Sequence, residues 1–257
     1  LHRYANIGVD LTNMASKLIS IGKAAKLLGV SIDSLRRWDK THRLSAVRNG
    51  FRGHRYYRQA DIDVFLRDII ALAEQWALAE TGVTPEQDVY CQTRDVFQAR
   101  LERLQSSLQR AVSSSATSLL SAITGEIGNN SFDHNLGNWP DITGIYFSYD
   151  LGNRVIVLAD RGQGILTTLK RVRPVLNNDA DALTVAFTET ISGRQPEARG
   201  NGLKFVRDVI VGNQFTLDFE TGNAHLFLKE NDKGITIAPT KRYIRGCFAV
   251  IRFGSLA

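Results

Sequence analysis

Ten residues, EIGNNSFDHN at 126–135, hold a glutamate, three asparagines, an aspartate and a histidine directly after the apolar run SATSLLSAIT. Glu126 and Asn130 stand four apart, so on a helix both side chains share one face. His134 falls four residues further on, and Asp133 three beyond Asn130. A carboxylate one turn from a carboxamide pairs a general base with a cation ligand. Magnesium suits such a pair, since it takes few protein oxygens and leaves the rest of its shell to water and phosphate. A metal site, a catalytic base and a solvated helix end all fit the stretch taken alone.

Two glycine motifs lie downstream. RVIVLAD, rich in β-branched residues, runs into DRGQGI at 160–165. Asp160 at a strand end offers a fixed acceptor, and Gly162 and Gly164 let the backbone bend sharply and a ligand approach beside Ile165. Further on, ARGNGLKFVRDVI places Gly200, Asn201 and Gly202 before a helix patterned on Leu203, Val206, Val209 and Ile210. Unpaired amides at the positive end of such a helix form an anion cradle.

The elements that must position these groups follow from periodicity. ITGIYFSY and RVIVLAD read as strands, as do FTLDFE, AHLFLKE, ITIA and GCFAVIRF near the C-terminal end. The order of E-x-x-x-N on a helix, D-x-G-x-G after a strand and G-x-G-L opening a helix resembles the Bergerat ATP-binding fold of the GHKL superfamily. That group includes DNA gyrase, MutL proteins, heat-shock chaperones, sensor histidine kinases and anti-sigma-factor kinases. The resemblance covers roughly residues 115–255. It implies that Asn130 holds Mg²⁺ against the triphosphate and that Asp160 accepts from the adenine amino group. It further implies that Gly162, Gly164 and Ile165 shape the adenine pocket, that Gly200, Asn201, Gly202 and Leu203 lie against phosphates, and that residues 166–199 are the ATP lid. Glu126 would be the base that activates water, or the group shared with the anti-sigma kinases, which also carry a His eight residues later. Where the superfamily often has Gly-Thr near the last strand, Gly246 is followed here by Cys247.

The charge is uneven. Of 32 Lys/Arg and 26 Asp/Glu, residues 1–75 hold 13 and 7, leaving 19 of each for the remainder. The positive excess marks a polyanion-binding module attached to a balanced one. Within it, Ser20 is a helix N-cap before an apolar face of Ile21, Ala24, Ala25, Leu27 and Leu28. Gly29 breaks that helix and Ser31 caps a second, on which Ile32, Leu35 and Trp38 face inward and Arg36, Arg37 and Lys40 face out. Asn49-Gly50 and Arg52-Gly53 signal turns of a small wing, where Arg52, His54, Arg55 and Arg58 interleave with Tyr56 and Tyr57. GVSIDSLRRWD, GHRYY and QADIDVFL together resemble the winged helix-turn-helix of the MerR and excisionase superfamily. The resemblance implies binding of double-stranded DNA through Arg36, Arg37, Arg55 and Tyr56, with Lys40 and Arg52 in support.

A helix is expected over 60–80, a linker at TGVTPEQ, and a second helix on Val96, Phe97, Leu101, Leu104, Leu108 and Val112 whose seam serves intramolecular packing or a homodimer. The fold class expected is α+β. Residues 1–80 form a mainly helical winged helix-turn-helix, 81–114 a linker and helical connector, and 115–257 an α/β two-layer sandwich of Bergerat type. No stretch reaches the roughly 20 apolar residues of a membrane span. Two distant cysteines signal neither zinc nor a disulfide framework, so a cytoplasmic setting is expected. The function expected is a DNA-binding regulator set by ATP or ADP with Mg²⁺. The alternatives are an anti-sigma-type protein serine/threonine kinase brought to DNA, acting on a regulatory protein partner, and a non-catalytic nucleotide sensor.

Overall fold

The computed structural model describes residues 17–28, 31–40, 42, 44–48, 53–190 and 202–254, and the chain divides into two compact units, 1–68 and 69–257. In the first unit β1 (Leu18–Ser20) leads into α1 (Ile21–Leu28), followed by α2 (Ile32–Lys40), β2 (Val47–Arg48), β3 (Arg55–Arg58) and α3 (Gln59–Arg67). The strands form a small antiparallel sheet in the order β1-β3-β2. Ser20 Oγ accepts from the Lys23 amide at 3.4 Å, as an N-cap should. Ala24, Leu28, Leu35, Trp38, Tyr57, Ile62 and Phe65 fill the core, with the Trp38 and Phe65 rings 4.9 Å apart. Two inward assignments fail: Leu27 and Ile32 are 42% and 40% exposed. Both helices are short, so two or three buried positions exhaust the face that each turns to the core. Tyr57 is interior, its hydroxyl donating to the Leu35 carbonyl at 3.0 Å.

The second unit contains α4 (Ile69–Leu78), β4 (Tyr90–Cys91), α5 (Arg94–Leu108), α6 (Ser114–Asn135), β5 (Ile145–Asp150), β6 (Val155–Asp160), α7 (Gly164–Leu169), α8 (Asp179–Thr188), α9 (Gly202–Val211), β7 (Phe215–Lys229) and β8 (Ile237–Phe253). Its antiparallel sheet runs β4-β5-β6-β8-β7. The alternation of β6 divides two cores: Ile156 and Leu158 pack with α5, α6, α8 and α9, whereas Val155, Val157 and Ala159 pack with Ala73, Trp76 and Ala77 of α4. The α+β class holds, and α4 adds cover to the second face of the sheet.

Two sets of boundaries differ from expectation. The helix expected over 60–80 is two helices separated at Asp68, and the second packs on the large sheet. The last four expected strands are two, since β7 continues through the Thr221–Ala224 irregularity and β8 through Pro239. The connector helix α5, capped by the Thr93 hydroxyl at the Val96 amide, turns Phe97, Leu104 and Leu108 into the chain's own core while Val96 is exposed. Phe97 stacks edge-on against Phe147 at 5.3 Å and lies 6.1 Å from Phe132. Truncating it in Phe97→Ala removes the contact joining α5, α6 and β5. We expect a loss of about 3–5 kcal/mol in urea unfolding of the second unit, and a change below 1 kcal/mol would show that the site collapses around the gap.

Candidate functional site

Helix α6 is capped by Ser113, whose hydroxyl accepts from the Ala116 amide at 3.3 Å, and it continues through the whole polar stretch to Asn135. EIGNNSFDHN is therefore helical throughout, and its polarity divides by face. Glu126, Asn130, Ser131, His134 and Asn135 line an open cleft of about 790 Å³, solvent mouth included. Asn129 turns the other way to accept from Gln98 of α5 at 2.8 Å, and Asp133 ion-pairs with Arg94. Asp133 is thus spent on holding α6 against α5 rather than on the cleft.

Across from α6, β6 ends in Asp160, which is 2% exposed. Its Oδ1 accepts from the Gly162 amide and its Oδ2 from Ser131 Oγ, each at 2.8 Å. Burial pushes the Asp160 carboxyl above the usual range, and bonds from Ser131, Gly162 and Cys247 only partly offset this. Cys247 of β8, opposite Thr221 in register, lines the same cleft. Burial first, and then the Asp160 charge, raise its thiol far above the ordinary range, so it stays a neutral donor. Thr221, fully buried, donates its hydroxyl to the Gly246 carbonyl at 2.8 Å and receives the Ile165 amide at 3.3 Å.

The DRGQG turn is held from α6. The Asn135 amide nitrogen donates to the Ser131 carbonyl and its oxygen accepts from the Gln163 amide, both at 2.8 Å. Gly164 has φ +75° and lies against the Arg245 carbonyl, a conformation and a closeness that a side chain would forbid. At the other end of the cleft, Glu126 packs against Gly202, the first residue of α9, where a Cβ would overlap its carboxylate. Leu203 and Ile165 line the cleft with Ile127, Leu169 and Phe219. Among the described residues, no hydrogen bond or ion pair occupies the Glu126 or Asn130 side chain. His134 is held below its usual pKa by burial and then by the Arg171 charge, which favours the neutral imidazole.

The structure therefore brings together Glu126, Asn130, Asp160, Gly164, Ile165, Gly202 and Leu203 on one cleft, with Gly162 fixing the Asp160 carboxylate. Gly200 and Asn201 lie outside the described residues, as does 191–199 of the expected lid. Residues 166–190 are not a free segment: Ala182, Leu183 and Phe187 of α8 are buried in the core, with Phe187 5.3 Å from the Phe219 ring. Sequence reasoning missed Ser131, Asn135 and Thr221 as contributors. The first two carried a signal, since they sit five and nine residues after Glu126 inside the same polar run. Thr221 ends a strand-like run and carried none.

In the first unit, α2 exposes Arg36, Arg37 and Lys40, with Arg36 ion-paired to Asp33 at 2.8 Å. Tyr56 is half-buried on β3, and Arg52 lies outside the described residues. Arg55 makes a contact within the unit. Its Nε donates to Asp39 of α2 at 2.7 Å, and Arg48 of β2 donates to the same carboxylate. These bonds fasten both strands of the wing to α2.

Residues 19–75 match the model of the MerR HTH family regulatory protein. That part of the chain is a MerR-type helix-turn-helix domain. Among curated proteins, the type II methyltransferase M.Eco47II of Escherichia coli is 33% identical over 66 residues, which make up 26% of this chain and 16% of the methyltransferase. The chain thus spans about a sixth of that relative's length. Among solved structures, the topoisomerase IV ATP-binding domain of Francisella tularensis, in complex with a small molecule inhibitor, matches at 17% identity. That match covers 52% of this chain and 35% of the other, with a TM-score of 0.32. No helix among the described residues is long and apolar enough to cross a membrane.

The Asp39 anchor has a pH signature. Burial by itself would raise the Asp39 carboxyl, but bonds from Arg55, the Ala46 amide and Arg48 outweigh it and hold it down at about 2, against 3.8 ordinarily. Stability from a depressed carboxylate is complete above the unfolded value and is lost as pH falls toward the folded one. We expect wild type to exceed Asp39→Asn in urea midpoint at pH 5 and above, and the advantage to vanish between about pH 4 and pH 2. A pH-independent difference over that range would show that the carboxylate charge does not fasten the wing.

Proposed function

We propose that the cleft binds ATP or ADP with Mg²⁺, and that the chain is a DNA-binding regulator whose grip on DNA follows the nucleotide state. The observation that carries the reading is the opposition of a buried Asp160 carboxylate to the Glu126–Asn130–His134 face of α6, with the first turn of α9 at the end of the cleft. The described residues contain no group of three or more His, Cys, Asp or Glu side chains able to hold a metal. Asn130, with its carboxamide at the cleft, suits a cation that shares its shell with phosphate and water. When bound, Mg²⁺ would supply charge neutralisation to the phosphates.

The chain's own residues would divide the work as follows. Asp160, fixed by Ser131, Gly162 and Cys247, would accept from the exocyclic amino group of adenine. Ile127, Ile165, Leu169 and Phe219 would cover the base and exclude water. The amides opening α9 would receive phosphate oxygens. Glu126, beside Gly202, would take the proton of an attacking water, which an amide in its place cannot do. On the DNA side, Arg36, Arg37 and Lys40 of α2 would reach base edges and phosphates, with Tyr56 contributing from the wing. Arg55 would act indirectly by setting the angle of the wing through Asp39.

Calorimetry with Mg-ATP tests the pocket. Asp160→Asn turns an acceptor into a mixed donor and acceptor in a buried place, and should weaken binding by about a hundredfold. Glu126→Ala should keep nucleotide affinity while phosphate release falls by about 10²–10⁴. Unchanged affinity in Asp160→Asn would sink the pocket reading, and hydrolysis that survives Glu126→Ala would remove that carboxylate as the base.

A further inference from the structure

Arg161, the residue after Asp160, plays no part in lining the cleft and is only 1% exposed. Its guanidinium turns to the opposite side of the strand end and meets the C-terminal end of α4. Nη1 donates to the carbonyls of Trp76, Ala77 and Ala79 at 2.8, 3.2 and 2.7 Å. Nε and Nη2 donate to Asp141 Oδ2 at 3.0 and 2.5 Å, and the guanidinium carbon lies 6.0 Å from the Trp76 ring centroid. The last carbonyls of a helix have no partner within it and form its negative end, so a planar, permanently charged fork is well matched to them.

The same carboxylate holds a second arm. Arg245 of β8 donates to Asp141 Oδ2 at 3.1 Å, and it stands two residues before Cys247 in the cleft wall. Its carbonyl packs against Gly164. Asp141 thus gathers an arginine from each of the two strands whose adjoining residues, Asp160 and Cys247, touch at the cleft floor. α4 begins at Ile69, directly after the first compact unit, and the family match runs into it as far as residue 75.

We infer that Arg161 is a positioning residue that makes α4 respond to occupancy of the cleft, and that α4 is the covalent route by which the response leaves the nucleotide unit. The inference rests on the nucleotide reading above. Asp160 and Arg161 are joined by one rigid peptide with side chains on opposite sides, so a donor that draws on the Asp160 carboxylate shifts the strand end to which α4 is fastened. Lysine at 161 keeps the charge but has no fork, and cannot serve several carbonyls and Asp141 together.

Hydrogen exchange of the α4 amides tests this in the full chain, with and without Mg²⁺ and a non-hydrolysable ATP analogue, alongside calorimetry of the same analogue. In wild type, α4 exchange should slow by about fivefold or more on saturation. In Arg161→Lys the analogue should still bind while that ratio falls to near one. Asp141→Asn, which weakens the hold on the Nε–Nη2 side of the Arg161 fork and on Arg245 but leaves the bonds from Nη1 to the α4 carbonyls, should lower the ratio part of the way. Should Arg161→Lys fail to fold, Asp141→Asn and wild type still decide the matter. A variant that lowers α4 protection equally with and without nucleotide, keeping the wild-type ratio, would make Arg161 a structural staple only and overturn the inference. Wild type that binds the analogue with no change in α4 would overturn it while leaving the pocket reading standing. Wild type that binds no analogue would overturn both.

Discussion

A carboxylate enclosed at the end of a β-strand sets the terms for the second unit. Removing Asp160 from water is costly unless donors replace the lost solvent. Three residues provide them from three directions: Gly162 by its amide in the same turn, Ser131 from α6, and Cys247 from β8 by both backbone and side chain. Each donor fixes an element in place, so the requirements of one acidic side chain align the long helix, the glycine turn and the last strand. Burial still pushes the carboxyl upward, so these bonds offset only part of its cost.

Helix α6 serves both sides of this arrangement. Its inner face presents Glu126, Asn130 and His134 to the cleft, its outer face holds α5 through Asn129 and Asp133, and its last residue clasps the DRGQG turn. The edge of β6 is two-sided in the same way, with Asp160 toward the cleft and Arg161 toward α4. In the first unit Asp39 has the corresponding place, tying β2 and β3 to the exposed basic helix through two arginines.

Periodicity and motif spacing made much of this legible. The Glu126/Asn130 pairing, the strand ending in Asp160 and the helix starting at Gly202 are local patterns, and local geometry places them where the pattern implies. What could not be read depends on partners distant in the chain. The internal bond of Arg55 was not legible because its partner Asp39 lies sixteen residues away on another element. Arg161 carried no reading from the sequence because the carbonyls it serves are more than eighty residues upstream. The middle of the expected lid is taken up by the packed helix α8, which was missed because the three residues that bury it are ordinary apolar side chains within a polar segment. Thr221 supplies a buried hydroxyl beside Gly246, so the Cys247 departure changes one donor of the cleft floor and leaves a hydroxyl close by.

In the proposed function a basic helix-turn-helix is joined in one chain to a cleft that would take a nucleotide. The most direct test is the affinity of the full chain for double-stranded DNA at fixed salt, measured with no nucleotide, with ADP and with a non-hydrolysable ATP analogue. The account predicts affinities that differ between the nucleotide states by about fivefold or more, the range of an ordinary coupling free energy. Equal DNA affinity in all three states, with the nucleotides shown to be bound, would contradict it.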